Sequence, residues 1–151
     1  MTVRAHEDLA RSLGATALPI TVRLHETLDS FRLATNRPWW VSEMAEGSAI
    51  DLAPIAVLAQ RGGIEGVVRT AVAELLVAGA LAGRPAWVRV GAARYFSDPP
   101  AGRPAFPQTR CPSDAELLLA VSASAQREAE LRAEACFARE LAKTGDWRLV
   151  R

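Results

Sequence analysis

One apolar periodicity near the middle of the chain constrains the fold more than any other feature of the sequence. After the "RGG" of residues 61–63, aliphatic residues recur at helical spacing: Ile64, Val67, Val68, Val72, Leu75, Leu76 and Leu81. This spacing predicts a long α-helix. Because the apolar residues extend beyond one narrow stripe, we expect the helix to be buried on more than one side.

The residues before this helix show both helical and strand patterns. "VRAHEDLARSLG" predicts a short helix that ends at Gly14, and "TLDSFRLATNRP" predicts a second one that ends at Asn36 and Pro38. The packing residues of the second helix are Leu28, Phe31 and Leu33. "WWVSEMAEGSAIDLAP" predicts two strands that turn at "EGS". "LPITVRLHET" predicts a half-buried strand whose apolar residues alternate with polar ones: Ile20, Val22 and Leu24.

The residues after the central helix predict further helices and one irregular loop. Pro85 suits the first turn of a helix that extends to about Phe96, and "SDPPAGRPAFPQTRCPSD" is too rich in proline for regular structure. Ser113 and Glu116 predict a capping box at the start of a long helical region that ends at Gly145. "DWRLVR" predicts one more short element. Mixed charges in the long region indicate a solvated face with local ion pairs: Arg127, Glu128, Arg132, Glu134, Arg139 and Glu140.

Length and composition predict a single folded α+β domain over residues 1–151. Of the 151 residues, 50% are hydrophobic and 23% are charged, as in ordinary globular proteins. Lys plus Arg total 18 against 17 Asp plus Glu, so no strong field favours nucleic acid as a partner. The longest apolar run, "AVAELLVAGALAG", contains Glu74 and is too short to cross a bilayer, so we expect no membrane insertion. The first residues lack the apolar centre of a signal peptide, which favours a cytoplasmic protein, or an exported one if the chain belongs to a longer parent.

The two cysteines, Cys111 and Cys136, have no metal-binding spacing around them. Free thiols are the simpler interpretation. A disulfide between them would need an oxidising compartment and closely placed Cα atoms, and the sequence decides neither.

Two segments have the pattern of a zinc-peptidase core. A peptidase of the HExxH kind places two histidines on one helix face, with the intervening glutamate as general base and a third ligand on a later helix. "VVRTAVAELLV" resembles the "LRHELLHxLV" helix of such enzymes, and "RPAWVRVGAARYF" resembles their "PxWFxEGLxxYL" helix.

The flanking segments extend this resemblance to peptidase MA-like gluzincin domains. "ITVRLHETLDSFRLATNRPWWVSEMAEGSAIDLAP" is similar to the strand, helix and hairpin before their metal helix, and "IDLAPIAVLAQRGGIEGVVR" is similar to their linking segment. Some of these domains follow a stage II sporulation protein D-like lytic domain in longer bacterial proteins. The resemblance covers roughly residues 18–145 and implies a zincin-like fold, with a small twisted sheet packed on the long helix. The unchanged Trp87, Gly91 and Tyr95 are mostly architectural in such a fold.

The metal and base positions of the resembled family carry other residues in this chain. Thr70 stands at the first ligand position, Ala71 at the general base, Glu74 at the second ligand and Val90 at the third. Glu74 alone keeps a ligating group, and one carboxylate does not assemble the usual site of three protein ligands. The resemblance therefore implies a catalytically inactive domain without metal or cofactor, in which these four positions line the former cleft.

Other candidate residues have simple interpretations. "HEDLA" at His6 and "HETLD" at His25 lack the second histidine of HExxH, so we expect surface or locally hydrogen-bonded histidines. Ser48 lies in a turn rather than a nucleophile elbow, and Cys111 lies in the proline-rich loop without a recognisable basic group. The carboxylates of the predicted strand pair are suited to solubility: Glu43, Glu46 and Asp51.

We expect a non-catalytic binding or scaffolding domain, with an extended peptide or a cell-wall-related polymer as its partner. The candidate ligand-binding residues are Trp39, Trp40, Glu74 and Tyr95. Because adjacent strand residues face opposite ways, one of the two tryptophans is expected to be exposed. A metal-independent hydrolase that uses Glu74 and a hairpin carboxylate is one alternative, and a purely structural or oligomerisation domain is another. The sequence predicts no oligomeric state.

The missing ligands predict that the protein will not retain zinc. Protein that is purified without chelator, loaded with excess zinc and desalted should hold less than about a tenth of an equivalent, measured by elemental mass spectrometry. A full equivalent of tightly held zinc would mean that His6, His25 or the cysteines form a site that these patterns do not reveal.

Overall fold

The computed structural model describes residues 2–16, 19–97 and 110–151, and contacts divide the chain into two compact units, Met1–Leu76 and Val77–Arg151. Helices and strands are both present, which confirms the predicted α+β class. Most of the predicted proline-rich loop lies outside the described residues. The helices are α1 (Thr2–Leu13), α2 (Leu28–Thr35), α3 (Ile55–Gln60), α4 (Ile64–Ala78), α5 (Ala86–Ser97), α6 (Asp114–Leu118) and α7 (Ala123–Thr144), the strands are β1 (Thr21–Leu24), β2 (Glu43–Glu46) and β3 (Ala49–Leu52), and a 3-10 helix covers Trp147–Leu149.

The strands form a three-stranded sheet in the order β1-β3-β2 within the first unit. β1 pairs in parallel with β3, with Arg23 opposite Asp51, and β2 pairs antiparallel with β3, with Met44 opposite Asp51. The predicted strand pair is confirmed as the β2–β3 hairpin. Its turn uses Gly47 at φ +61°, a left-handed conformation that a residue without a Cβ adopts at little cost.

β1 confirms the predicted strand but not its predicted burial. Val22 and Leu24 keep 40% and 50% of their surface exposed, whereas Ile50 and Leu52 on β3 are buried. The difference follows from position in the sheet. Among the described strands, β3 has a neighbour on each side, whereas β1 lies at an edge and has a neighbour on one side only.

α2 begins and ends at residues whose types favour those positions. Thr27 and Ser30 form a capping box, in which the Ser30 amide donates to Thr27 Oγ1 at 3.0 Å and the Thr27 amide donates to Ser30 Oγ at 3.3 Å. Asn36 ends the helix in the left-handed conformation, at φ 54°. Phe31 is buried as predicted, but Leu33 is 89% exposed, because a short helix of this kind turns only one side towards the sheet.

The central helix is confirmed as α4, although it ends at Ala78 rather than near Leu81. The consecutive residues Ala71, Val72 and Ala73 are all fully buried. Because successive helix residues are about 100° apart, this burial covers more than one side of the helix, as the periodicity predicted. Directly before α4, the helix α3 occupies part of the segment that the resemblance treats as a link.

In the second unit, α5 and α7 pack closely at a glycine. A Cβ on Gly91 would lie 2.7 Å from the Cβ of Phe137 and closer still to the carbonyl oxygen of Ala133. Only a residue without a side chain fits there unless one of the helices moves. Beside this contact, four rings pack with centroid separations between 5.2 and 6.0 Å: Tyr95, Phe96, Phe137 and Trp147.

The predicted capping box starts α6. The Glu116 amide donates to Ser113 Oγ at 3.3 Å, and the Ser113 amide donates to Glu116 Oε2 at 2.8 Å. Arg132 on α7 donates to Glu116 Oε1 at 2.7 Å, and Arg110 donates to both carboxylate oxygens. The Ser113 amide and these two guanidinium groups together hold the pKa of Glu116 well below its usual range.

The predicted long helical region consists of two helices, because helical structure ends at Leu118 and resumes at Ala123. The hydroxyl of Ser122 accepts a hydrogen bond from the Ala125 amide at 3.1 Å and starts α7 afresh. The left-handed Gly145, at φ 71°, ends α7 as predicted.

The charged face predicted for α7 is confirmed only in part. Lys143 and Arg139 donate to Glu140 near the solvent, at 2.8 and 3.2 Å. The hydrogen bond from Lys143, aided by that from Arg139, lowers the pKa of Glu140. Glu134, by contrast, is only 4% exposed and lies 3.4 Å from the Nε of Arg94 on α5. Glu134 lies between α5 and α7 and is therefore not part of the solvated face of α7.

The two cysteines are joined in a disulfide rather than present as free thiols. Cys111, just before α6, is bonded to Cys136 on α7, and their Cα atoms are 5.6 Å apart. The packing of α6 on α7 brings these residues together. Sequence spacing does not reveal such a tertiary contact, so the simpler interpretation was wrong.

Replacing Gly91 by alanine should destabilise the protein, because the new methyl group would overlap Phe137 and the Ala133 carbonyl. We expect Gly91→Ala to lower the free energy of unfolding by about 1–3 kcal/mol, as overpacking commonly does. Gly66→Ala is the matched control, since Gly66 also lies inside a helix but has nothing within 4 Å of a Cβ position. That change should be neutral or stabilising by up to about 1 kcal/mol. Urea denaturation followed by circular dichroism measures both, and equal effects would contradict the close packing.

Candidate functional site

Of the four positions that the resemblance assigns to metal ligands or the general base, three lie on α4, in the first unit. Thr70 is half-buried, and its hydroxyl donates to the Gly66 carbonyl at 3.1 Å, one turn earlier. Ala71 is fully buried, and Glu74 is half-buried. The spacing of four residues places Thr70 and Glu74 on one side of the helix. These two residues thus share a side of α4, and the residue at the assigned base position is buried.

The fourth position and the candidate tyrosine lie on α5, in the second unit. Val90 is half-buried and packs against a cluster of apolar residues: Ala86, Leu117, Ala129 and Ala133. The ring of Tyr95 packs on Phe96 and Phe137, at centroid separations of 5.2 and 5.6 Å. Both residues therefore take part in the packing of their own unit.

The two tryptophans lie in a turn before β2, not in a strand as predicted. Their rings meet edge to face at 5.7 Å. Trp39 is 55% exposed and Trp40 is half-buried, so one of the pair is exposed as expected, although the turn rather than strand alternation is the cause. The guanidinium of Arg61 lies 5.7 Å from the Trp39 ring centroid and donates to the Val41 carbonyl at 3.4 Å. These contacts hold an exposed indole face in a fixed place.

A buried carboxylate connects β1 with β3. Asp51 is 5% exposed, and its Oδ1 lies 2.9 Å from Nε2 of His25. Its Oδ2 accepts a hydrogen bond from Arg23 Nη1 at 3.4 Å. The His25 ring also packs edge to face on Phe31 of α2, at 5.7 Å. His25 is thus neither at the surface nor bonded locally, contrary to the expectation from the sequence, but hydrogen-bonded to a residue 26 positions away, and it lies just after β1 rather than within it. Asp51 is buried and does not serve solubility.

The predicted carboxylates of the hairpin do not share one face of the sheet. Glu43 is opposite Leu52, whereas Met44 is opposite Asp51. Because side chains alternate along a strand, Glu43 and Asp51 point to opposite faces. Glu46 is exposed at the turn end of the hairpin. The structure therefore groups Asp51 with His25 and Arg23, not with the other carboxylates.

The chemistry of the His25–Asp51 pair is that of an oriented imidazole. An ionised carboxylate only accepts hydrogen bonds, so Asp51 favours the tautomer in which Nε2 of His25 carries the hydrogen. The second ring nitrogen, Nδ1, is then an acceptor. The contacts with Asp51 and Phe31 together hold the orientation of the imidazole ring.

Sequence reasoning missed this pair because its members are 26 positions apart. One signal was present: a single carboxylate inside the apolar strand "AIDL". A charge at the centre of a buried strand requires a partner. Only the parallel register of β1 and β3 identifies which residues supply it.

A surface groove of about 350 Å³ lies in the first unit, beside α1 and α4. Its two arginines and two carboxylates balance each other, so the groove favours neither sign of ligand charge. In the part of the chain that the structure describes, no three His, Cys, Asp or Glu side chains are grouped as metal ligands. The residues that line the groove are Arg4, Ala5, Asp8, Glu65, Val68 and Arg69.

Comparisons of the chain with protein-family models, curated proteins and solved structures found no match. Among the described helices, none combines the length and the apolar character that crossing a bilayer requires. Function must therefore be inferred from the residues and surfaces themselves.

The two partners of Asp51 should contribute unequally to stability. The side chains of His25 and Asp51 are 15% and 7% exposed, whereas that of Arg23 is 60% exposed. Double-mutant cycles with alanine should give a coupling energy of about 1–3 kcal/mol for His25 with Asp51. The coupling of Arg23 with Asp51 should be below about 1 kcal/mol, as for other exposed ion pairs. Urea denaturation supplies the free energies, and a larger coupling for Arg23 than for His25 would show that burial does not set these contributions.

Proposed function

We propose that the protein is a catalytically inactive, zincin-like module that binds an extended peptide as an additional strand beside β1. The resemblance in sequence supports the zincin-like part of this proposal. The observation that supports peptide binding most directly is the exposure of β1, in which every residue of Thr21–Leu24 is exposed. An exposed sheet edge is the surface on which extended peptides add to a sheet.

No strand in the described part of the chain pairs with the side of β1 that faces away from β3. The amides of Thr21 and His25 donate to the carbonyls of Ser48 and Leu52, at 2.8 and 3.0 Å. Because backbone groups point alternately to the two sides of a strand, the N–H and C=O groups of Val22 and Leu24 point away from β3. A bound peptide would pair with these two residues.

The side chains of β1 indicate the class of peptide. Val22 and Leu24 lie on one face of the strand and are partly exposed, so they offer apolar contacts to alternate residues of a partner. Arg23, on the other face, is exposed and already contacts Asp51 through one nitrogen. We therefore propose a peptide with alternating apolar residues and a carboxylate near Arg23.

The exposed tryptophan favours a cell-wall-related polymer as the second candidate partner. The ring of Trp39 is flat, exposed and fixed by Trp40 and Arg61, which suits stacking against a sugar ring. This partner would use the turn before β2 rather than the edge of β1.

The contacts of the replaced positions favour binding over catalysis. The Thr70 hydroxyl already has a partner in the Gly66 carbonyl, and Ala71 is buried. The alternative of a hydrolase that pairs Glu74 with a hairpin carboxylate is less well supported. The buried hairpin carboxylate, Asp51, is already bonded to His25 and Arg23.

Hydrogen exchange of individual amides tests strand addition. We expect a library of end-blocked, proline-free decapeptides to contain members that slow exchange at Val22 and Leu24, whose amides point away from β3. The amides of Arg23 and His25, which face β3, should change little. This alternating pattern, measured by NMR, would not arise from peptide binding elsewhere on the surface.

Substitutions on β1 provide the matching controls. Val22→Lys and Leu24→Lys together should abolish the protection, because lysines on an edge strand oppose strand addition. Leu33→Lys removes an apolar side chain that is 89% exposed on α2 and should leave binding unchanged. The proposal fails if no peptide protects Val22 and Leu24, or if the Leu33 variant loses binding as fully as the β1 variant.

A further inference from the structure

The disulfide of the second unit lies against a guanidinium group. Nη2 of Arg139 is 3.2 Å from Sγ of Cys111 and 3.6 Å from Sγ of Cys136. Arg139 follows Cys136 by three residues on α7, so the two side chains lie on the same side of the helix. The helix therefore places the guanidinium beside the disulfide bond. A cation at this distance stabilises a thiolate, and a stabilised thiolate leaves a disulfide more readily.

The two sulfur atoms differ in access. Cys136 is fully buried, whereas Cys111 is half-buried. An external thiol therefore reaches Cys111 first. Attack at that sulfur expels Cys136 as the thiolate, beside the guanidinium of Arg139.

Further cationic side chains lie near the disulfide. Glu140 accepts hydrogen bonds from Arg139 and also from Lys143, so this carboxylate is shared between two cations. On the other side, Nη1 of Arg110 lies 3.5 Å from the Cys111 carbonyl, and the same guanidinium pairs with Glu116. Reactive cysteines are found in such partly exposed, electropositive surroundings.

We propose that the Cys111–Cys136 bond is a thiol-exchange site, which reacts with small thiols of the glutathione class, and that folding does not depend on it. A glutathione thiolate attacks Sγ of Cys111, the Cys111–Cys136 bond breaks, and its electron pair leaves on Sγ of Cys136. A second glutathione thiolate attacks the glutathione sulfur of this mixed disulfide and releases Cys111. Two glutathione thiols are oxidised to one disulfide, and their two protons and two electrons convert the protein disulfide to two thiols.

Other contacts hold α6 and α7 in place without the disulfide. Arg132 on α7 donates to Glu116 on α6 at 2.7 Å. The Ala86 amide donates to Asp114 Oδ1, also at 2.7 Å, which ties α6 to the start of α5. Reduction should therefore release the chain at Cys111 from α7 and leave the helices packed.

A redox titration tests the site in the intact protein. Wild type, Arg139→Gln and Arg127→Gln are equilibrated at one pH in buffers with graded ratios of glutathione to glutathione disulfide, and the reduced fraction is measured by mass spectrometry after alkylation. Arg127 is the matched control, an exposed arginine about three turns earlier on the same helix. We expect Arg139→Gln to favour the disulfide about tenfold, or about 30 mV for this two-electron couple. Arg127→Gln should change the equilibrium less than about twofold, within the precision of such titrations.

Two further readouts separate an exchange site from a structural disulfide. Arg139→Lys keeps the charge and should restore most of the wild-type equilibrium. The mixed disulfide trapped during reduction should carry glutathione on Cys111, and the reduced protein should keep its far-ultraviolet circular dichroism. Equal titrations of the Arg139→Gln and Arg127→Gln variants, glutathione on Cys136, or loss of helical signal on reduction would each overturn the proposal.

Discussion

The buried carboxylate of Asp51 is the constraint on which the sheet of the first unit depends. Its neighbours in β3, Ile50 and Leu52, are buried apolar residues, so the strand brings a charge into an apolar setting. A charge in that position destabilises the fold unless partners are present. Both partners, Arg23 and His25, come from β1 or the residue after it. A shift of β1 by one residue would turn them to the opposite face, so Asp51 favours the observed register.

The same constraint connects the sheet with the proposed binding surface. His25 contacts Phe31 of α2 as well as Asp51, so one side chain joins a helix to two strands. With β1 held against β3 in this register, the amides of Val22 and Leu24 point away from the sheet. The register that satisfies the buried charge thus decides which backbone groups of β1 point outward, and a strand already paired on one side suits strand addition because little order has to be created on binding.

The second unit depends on a different constraint, the absence of a side chain at Gly91. The two helix backbones approach each other there, and the ring of Phe137 lies near enough to pack with Tyr95 and Phe96 of α5. Close approach also brings Arg94 within reach of Glu130 and Glu134 on α7. A hydrophobic contact and a buried ion pair therefore depend on the same glycine.

Local patterns predicted most of the elements but not the contacts between them. The capping box at Ser113, the hairpin turn at Gly47 and the helix end at Asn36 depend on neighbouring residues, and the sequence predicted these places correctly. The Cys111–Cys136 bond and the His25–Asp51 pair depend on which elements pack together, and residue spacing carries no such information. The exposure of β1 was missed for the same reason, because alternation identifies a strand without showing whether another element covers it.

If the chain is the zincin-like module that we propose, its packing and its former chemistry belong to different residues. The packing of α4 depends on buried apolar residues such as Val72, and the packing of α5 depends on Gly91 and Val88. The residues at two of the positions that the resemblance assigns to metal ligands fit this packing. Thr70 satisfies its hydroxyl within its own helix, and Val90 joins an apolar cluster. Because apolar packing maintains each of these helices, the proposed binding edge of β1 is free to be retained or changed independently of them.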